Sequence, residues 1–147
     1  MTDILNMLQA PGPAMKDILV KASESNWVPT DPNGKAFIKV LWTCAESGGW
    51  AVMHKWKKGY VAPPHKHLGA IHAFIVSGKL QLREHTIETG DYMYEPNGII
   101  HESTEALEDT IHLNIADGPI LFFDDEKITG YGSWEQMYRV QQRGKDL

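Results

Sequence analysis

Short strand-like runs dominate the chain between residues 36 and 123. In residues 50–56, the side chains alternate in character at a period of two, as they do on an extended strand. Residues 79–83 and 110–115 alternate in the same way, and 119–123 is an apolar run typical of a buried strand. Turn residues separate these runs: Gly48-Gly49, Gly59, Ser77-Gly78, Gly90-Asp91, Pro96-Asn97-Gly98 and Asp117-Gly118. Many short strands at close spacing predict an all-β sandwich or barrel.

The two ends of the chain differ from this strand-rich middle. A length of 147 residues fits a single domain. Residues 1–35 are predicted to form an N-terminal arm that includes a short helix, and residues 36–132 to form the barrel. Ser133 and Gln136 have the spacing of a capping box, so residues 133–147 are expected to form a short helix packed on the barrel.

Composition excludes several classes of protein. The net charge is −5, which gives no basic surface for nucleic acid or an anionic membrane. The single cysteine, Cys44, cannot form an internal disulfide. No apolar stretch approaches the roughly 18 residues that a membrane helix needs, and no signal peptide is recognisable at the start. A cytoplasmic location is therefore expected.

Four histidines are the candidate chemical residues. His65 and His67 lie two positions apart, which places both imidazoles on the same side of a strand. His72 follows after a turn and opens the next strand. His101 comes much later, after the turn at 96–98, and antiparallel pairing could bring it opposite the first pair.

Imidazole nitrogens are good ligands for iron, nickel, copper and zinc. Three or four of them around one divalent ion would leave positions open for water, dioxygen or a substrate oxygen. The absence of a nearby cysteine argues against a closed, thiolate-bound structural zinc. A single His-x-His pair is weak evidence by itself, because surface histidines are common.

The spacing around these histidines resembles the two motifs of the cupin superfamily. The first motif is Gly, five residues, His-x-His, three or four residues, Glu, six residues and Gly. The sequence has Gly59, His65 and His67 at this spacing, then His72 in place of the glutamate, and Gly78 after five further residues. His72 would therefore be either a fourth nitrogen ligand or a residue outside the ligand set.

The second cupin motif is Gly, five residues, Pro-x-Gly, two residues, His, three residues and Asn. It is matched by Gly90, Pro96, Gly98 and His101, with Glu105 in place of the asparagine. The glycines of both motifs are expected where turns need positive φ or close backbone approach. The resemblance implies a cupin-type double-stranded β-helix, or jelly-roll barrel, with one divalent metal ion per chain. Its predicted ligands are His65, His67, His72 and His101.

A narrower resemblance covers residues 65–74, 92–96 and 118–124. These stretches look like the small bacterial cupins grouped with 2,4'-dihydroxyacetophenone dioxygenase and the acetylacetone-cleaving dioxygenase. That group implies a non-haem Fe(II) enzyme that uses dioxygen to cleave a C–C bond beside a carbonyl in a small diketone or hydroxyketone. It also implies a homodimer or homotetramer. Zinc or nickel could occupy the same nitrogen site in the isolated protein.

No catalytic residue is expected beyond the metal site. The substrate pocket is predicted to be lined by Met53, Trp56, Phe74, Tyr94 and His112. Two other functions use the same barrel: a non-catalytic sensor that binds a metal or ligand, and a metal-free sugar epimerase or isomerase with histidine as base. Metal content separates the last from the first two.

Overall fold

The computed structural model of the protein describes residues 2–8 and 16–147. Positions 1 and 9–15, which belong to the predicted N-terminal arm, lie outside the described residues. The α-helices are α1 (Thr2–Leu8) and α2 (Trp134–Asp146), and a short 3₁₀ helix spans Ala22–Glu24. The strands are β1 (Val28–Pro29), β2 (Ala36–Thr43), β3 (Trp50–Trp56), β4 (Val61–Ala62), β5 (His65–His67), β6 (Ile71–Ser77), β7 (Lys79–Leu82), β8 (His85–Glu88), β9 (Tyr92–Glu95), β10 (Ile100–His101), β11 (Thr104–Ala106), β12 (Thr110–Ala116), β13 (Ile120–Phe123) and β14 (Ile128–Gly132).

The strands form three antiparallel sheets. The largest has the order β1-β2-β3-β12-β6-β9, and the two four-stranded sheets have the orders β10-β5-β13-β14 and β4-β11-β7-β8. In the six-stranded sheet β12 lies between β3 and β6, and β6 pairs with β9, so these neighbours are distant in sequence, as expected for a jelly roll rather than a simple meander. The predicted all-β, cupin-type barrel is confirmed.

Side-chain alternation fixes which residues face the interior of the barrel. On β3, Trp50, Val52 and Trp56 are buried. On β12, Thr110 and His112 are buried, in a register that pairs β12 with β3 on one side and with β6 on the other. Because side chains alternate along a strand, the residues between these positions point to the outer face of the sheet.

Helix α2 packs on one end of the barrel. It begins after Ser133, which forms the predicted capping box with Gln136. Trp134, Met137 and Val140 pack against a buried cluster that includes residues of β1, β2, β3 and β6. The spacing of three residues places these side chains on one helical face. In the part of the chain that the structure describes, no helix is long and apolar enough to cross a membrane.

Candidate metal centre

Three of the four predicted histidines converge at one point. His65 and His67 lie on β5, and His101 lies on the adjacent strand β10, directly paired with His65. One nitrogen from each ring lies within 4.8 Å of the others. Two nitrogens on opposite sides of a first-row ion are about 4.2 Å apart, given bonds near 2.1 Å. Small rotations of the side chains would therefore bring one nitrogen of each ring within bonding distance of a single ion.

The hydrogen bonding of the three rings leaves nitrogens available. His67 is 4% exposed and His101 is 1% exposed. Both ring nitrogens of His67 and Nδ1 of His101 are buried with no hydrogen-bond partner. His65 Nδ1 lies 2.9 Å from the carbonyl oxygen of Pro63. Donation to that carbonyl would leave Nε2 of His65 as an acceptor, the arrangement typical of a metal-binding histidine.

Burial keeps two of these rings neutral. It lowers the pKa of His67 to about 4 and lowers the pKa of His65 as well, since the interior disfavours the charged imidazolium. Neutral imidazole is the form that binds a metal ion. Unpartnered buried nitrogens on neutral rings thus fit a divalent cation.

Glu95, at the end of β9, brings a carboxylate to this group. It is 6% exposed, and its Oε2 accepts a hydrogen bond from His101 Nε2 and lies 3.8 Å from His67 Nε2. Burial by itself raises the pKa of Glu95. The hydrogen bond from His101, together with smaller electrostatic contributions from the surrounding His101, His67 and Arg83 side chains, outweighs this effect, so the pKa lies below its usual value. Glu95 is therefore ionised at neutral pH.

The structure does not bring His72 to the other three histidines. On β6, Ile71 and Ala73 are buried and face the interior, so the intervening His72 faces outward. Its Nδ1 lies 2.6 Å from the hydroxyl of Tyr92, and its ring packs beside Tyr94. The predicted four-histidine ligand set thus differs from the arrangement found, because the strand begins with an inward-facing isoleucine. A carboxylate does lie beside the three histidines, but it belongs to Glu95 on β9.

The histidine group forms part of the wall of a cavity of about 250 Å³ inside the barrel. Trp56 and His112, two of the predicted pocket residues, line it. The other three do not, because they occupy outward-facing positions on their strands. Phe74 and Tyr94 are 43% and 54% exposed, and Met53 alternates with inward-facing residues of β3.

Sequence reasoning missed several polar residues of the cavity, among them His54, Glu95 and Asn114. The signal for two of them was present in the strand alternation. His54 shares the parity of Trp56 on β3, and Asn114 shares that of His112 on β12. Only the fold shows that Glu95 turns inward.

The paired histidines His54 and His112 predict that the folded state loses stability in acid. Their rings stack at 4.8 Å between centroids, and burial lowers the pKa of His54 from 6.5 to about 4 and that of His112 well below 6.5. The unfolded chain takes up these protons near pH 6.5, whereas the folded chain resists them. Stability should therefore fall as the pH drops from about 6.5 towards 4, by about 1.4 kcal/mol per pH unit for each such group.

The measurement is the free energy of unfolding in urea between pH 7.5 and 4.5. His54→Leu should reduce the slope by the contribution of one group. The matched control is His85→Leu, which removes an exposed histidine and should leave the slope unchanged. An equal slope in the wild type and His54→Leu would contradict the prediction.

Comparison with known proteins identifies a family for the chain. The sequence profile of the ChrR cupin-like domain matches residues 15–121. A search of curated proteins found no match.

Solved structures share the fold at low sequence identity. An RmlC-like cupin from Ralstonia eutropha is 24% identical, with 88% of this chain and 87% of that chain covered and a TM-score of 0.78. An acetylacetone dioxygenase from Acinetobacter johnsonii is 20% identical, with coverage of 93% and 97% and a TM-score of 0.79. A provisionally assigned acetylacetone dioxygenase from Methylibium petroleiphilum is 21% identical, with coverage of 90% and 99% and a TM-score of 0.82. With a profile match over most of its length and the fold of these cupins, the chain belongs to the ChrR cupin-like domain family of the cupin superfamily.

Proposed function

We propose that the protein is a metal-dependent dioxygenase that cleaves a C–C bond beside a carbonyl in a small diketone or hydroxyketone. The observation that carries this proposal is the convergence of His65, His67 and His101 on the wall of a mostly apolar cavity. The resemblance to acetylacetone dioxygenases in fold supports the choice of reaction.

His65, His67 and His101 are the residues that would hold the metal. Fe(II) bound there would polarise a chelated carbonyl and supply the redox chemistry that dioxygen requires. Zinc would fit the same nitrogens without redox chemistry. The neutral rings of His65 and His67 add no charge to the site, whereas the Glu95 carboxylate, 3.8 Å from His67 Nε2, places a negative charge beside it.

Glu95 has the geometry of a positioning residue. By accepting a hydrogen bond from His101, its carboxylate fixes the orientation of that imidazole. Glu95 could also turn its oxygen towards the ion as a fourth ligand, which would give the three-histidine, one-carboxylate set of the cupin motif. In both arrangements its negative charge lies beside the cation.

Apolar side chains in the rest of the cavity wall would shield a reaction from water. Ile75 is 1% exposed, and Met93 and Phe122 are only partly accessible. These side chains would surround the apolar part of a small ketone and exclude bulk water from it. Electrostatic interactions with the reacting oxygens are stronger in such a site than in solvent.

The test uses the full chain, stripped of metal and reloaded anaerobically with Fe(II) or with Zn(II). We expect about one ion per chain in both cases. Oxygen uptake is then measured with a panel of β-diketones and hydroxyacetophenones. The iron-loaded protein should consume oxygen and the zinc-loaded protein should not.

Two outcomes count against the proposal. Metal binding without oxygen uptake across the panel would favour the non-catalytic sensor. A chain that binds neither ion would favour the metal-free epimerase or isomerase. His85→Ala, at an exposed position on β8, is the matched control and should behave as the wild type in every assay.

A further inference from the structure

A second polar patch lies in the same cavity, on a different sheet from the three metal-site histidines. It consists of His54 on β3 and His112 and Asn114 on β12, all in the cavity wall. His112 and His54 are direct cross-strand partners and their rings stack. The edge of His112 also packs against Trp56 at 4.6 Å between centroids. His112 is thus held in place by neighbouring rings.

Two polar atoms of this patch have no partner. His112 is 3% exposed, and its Nδ1 is buried without a hydrogen bond. Oδ1 of Asn114 is also buried and unpartnered. The two residues are two positions apart on β12, so their side chains point into the cavity from the same face. Buried polar groups are nearly always paired in folded proteins, so these atoms call for a partner inside the cavity.

The chemistry of the two groups restricts which kinds of ligand group can be that partner. Burial lowers the pKa of both His54 and His112, which makes the patch neutral, and a charged ligand end would find no counter-ion there. A neutral imidazole nitrogen can donate or accept according to its tautomer, while the amide oxygen of Asn114 only accepts. A hydroxyl can donate to Asn114 and pair with His112. A carbonyl or ether oxygen would leave Asn114 unpaired, and a methyl group would leave both unpaired.

We propose that His112 and Asn114 form a subsite for a neutral hydroxyl group of the ligand. The inference rests on the proposed function for the other end of that ligand, the carbonyl held at His65, His67 and His101. The substrate class is then a small ketone that carries an alcohol or phenol hydroxyl remote from the chelating oxygens, rather than a plain alkyl diketone.

The first experiment compares phenol, toluene and anisole as probes of the full-length chain. Dissociation constants are measured by titration followed in ¹H–¹⁵N amide spectra, once with zinc bound and once after metal removal. We expect phenol to bind about tenfold more tightly than toluene or anisole in both states, since only phenol can satisfy the donor and acceptor together.

Substitutions then test whether the preference for phenol arises at His112 and Asn114. His112→Phe and Asn114→Leu should each bring phenol and toluene within about twofold of each other. His72→Phe is the matched control, because it makes the same change on the outer face of β6, and it should keep the tenfold preference. If His112→Phe does not fold, Asn114→Leu and the comparison of probes on the wild type still decide the question.

Three results would overturn the subsite: equal affinity of the wild type for phenol and toluene, a preference that survives both substitutions, or a preference seen only with zinc bound. The last would mean that phenol contacts the metal. The metal-free measurement also separates this inference from the proposed function. A phenol preference without metal supports the subsite even if oxygen uptake fails, and uptake without the preference supports the dioxygenase alone.

Discussion

Replacing His101 with alanine should weaken zinc binding by more than about 100-fold. Loss of a residue that only orients a metal ligand costs about 10- to 100-fold in affinity, and loss of a ligand itself should cost more. His101 is 1% exposed, and its ring centroid lies 4.9 Å from that of His65 and 5.1 Å from that of His67. The measurement is a competitive titration of zinc against a chromophoric chelator.

Two further substitutions sharpen this result. Glu95→Gln preserves the shape of the side chain and removes its charge, so the affinity should fall by about 10- to 100-fold. His72→Ala should change the affinity by less than about twofold, because this ring faces outward and contacts Tyr92. Circular dichroism and thermal unfolding check that each variant is folded. If His72→Ala weakened zinc binding as much as His101→Ala, the arrangement of the site described above would be wrong.

The motif spacing predicted the fold and the convergence of three of the four candidate histidines, because both depend on local geometry. His65 and His67 share a strand face through the period of two, and the turn at 96–98 returns the chain so that His101 pairs with His65. The positive φ expected at the motif glycines is confirmed at Gly59, Gly78, Gly90 and Gly98.

Motif spacing could not predict which side chains of β6 and β9 face the interior of the barrel. A shift of one residue in a strand exchanges its inner and outer faces. The short turn before β6 makes Ile71 the first inward residue, so His72 and Phe74 point outward. On β9 the same parity rule turns Glu95 inward and Tyr94 outward. The expected dimer or tetramer and the cytoplasmic location stay predictions, since they depend on surfaces and contexts beyond one chain.

Gly78→Ala should be among the most destabilising single-methyl changes in the barrel. Gly78 joins β6 to β7 with φ +97°, and an added Cβ would lie 2.4 Å from both the carbonyl oxygen of Asp109 and Oγ1 of Thr110. Those atoms belong to the start of β12 and the turn before it. Thr110 Oγ1 accepts a hydrogen bond from the backbone N–H of Lys79 and cannot move without losing it.

Gly90→Ala separates the two causes of that destabilisation. Gly90 has nearly the same φ, +91°, but an added Cβ would meet nothing within 4 Å. An alanine there should cost about 1–2 kcal/mol, the cost of left-handed backbone for a residue with a Cβ. At Gly78 the backbone strain and the overpacking should together cost about 2–5 kcal/mol, a large part of a typical domain stability of about 5–15 kcal/mol.

Urea unfolding of the two variants beside the wild type measures the difference. Equal free energies of unfolding for Gly78→Ala and Gly90→Ala would show that β12 can yield at Asp109 and Thr110, and that only the turn conformation requires a glycine. A larger loss at Gly78 would show that the strand carrying His112 and Asn114 is packed tightly against the turn after β6. Because both residues line the cavity from β12, rigid packing at its first residue, Thr110, would also hold them in position.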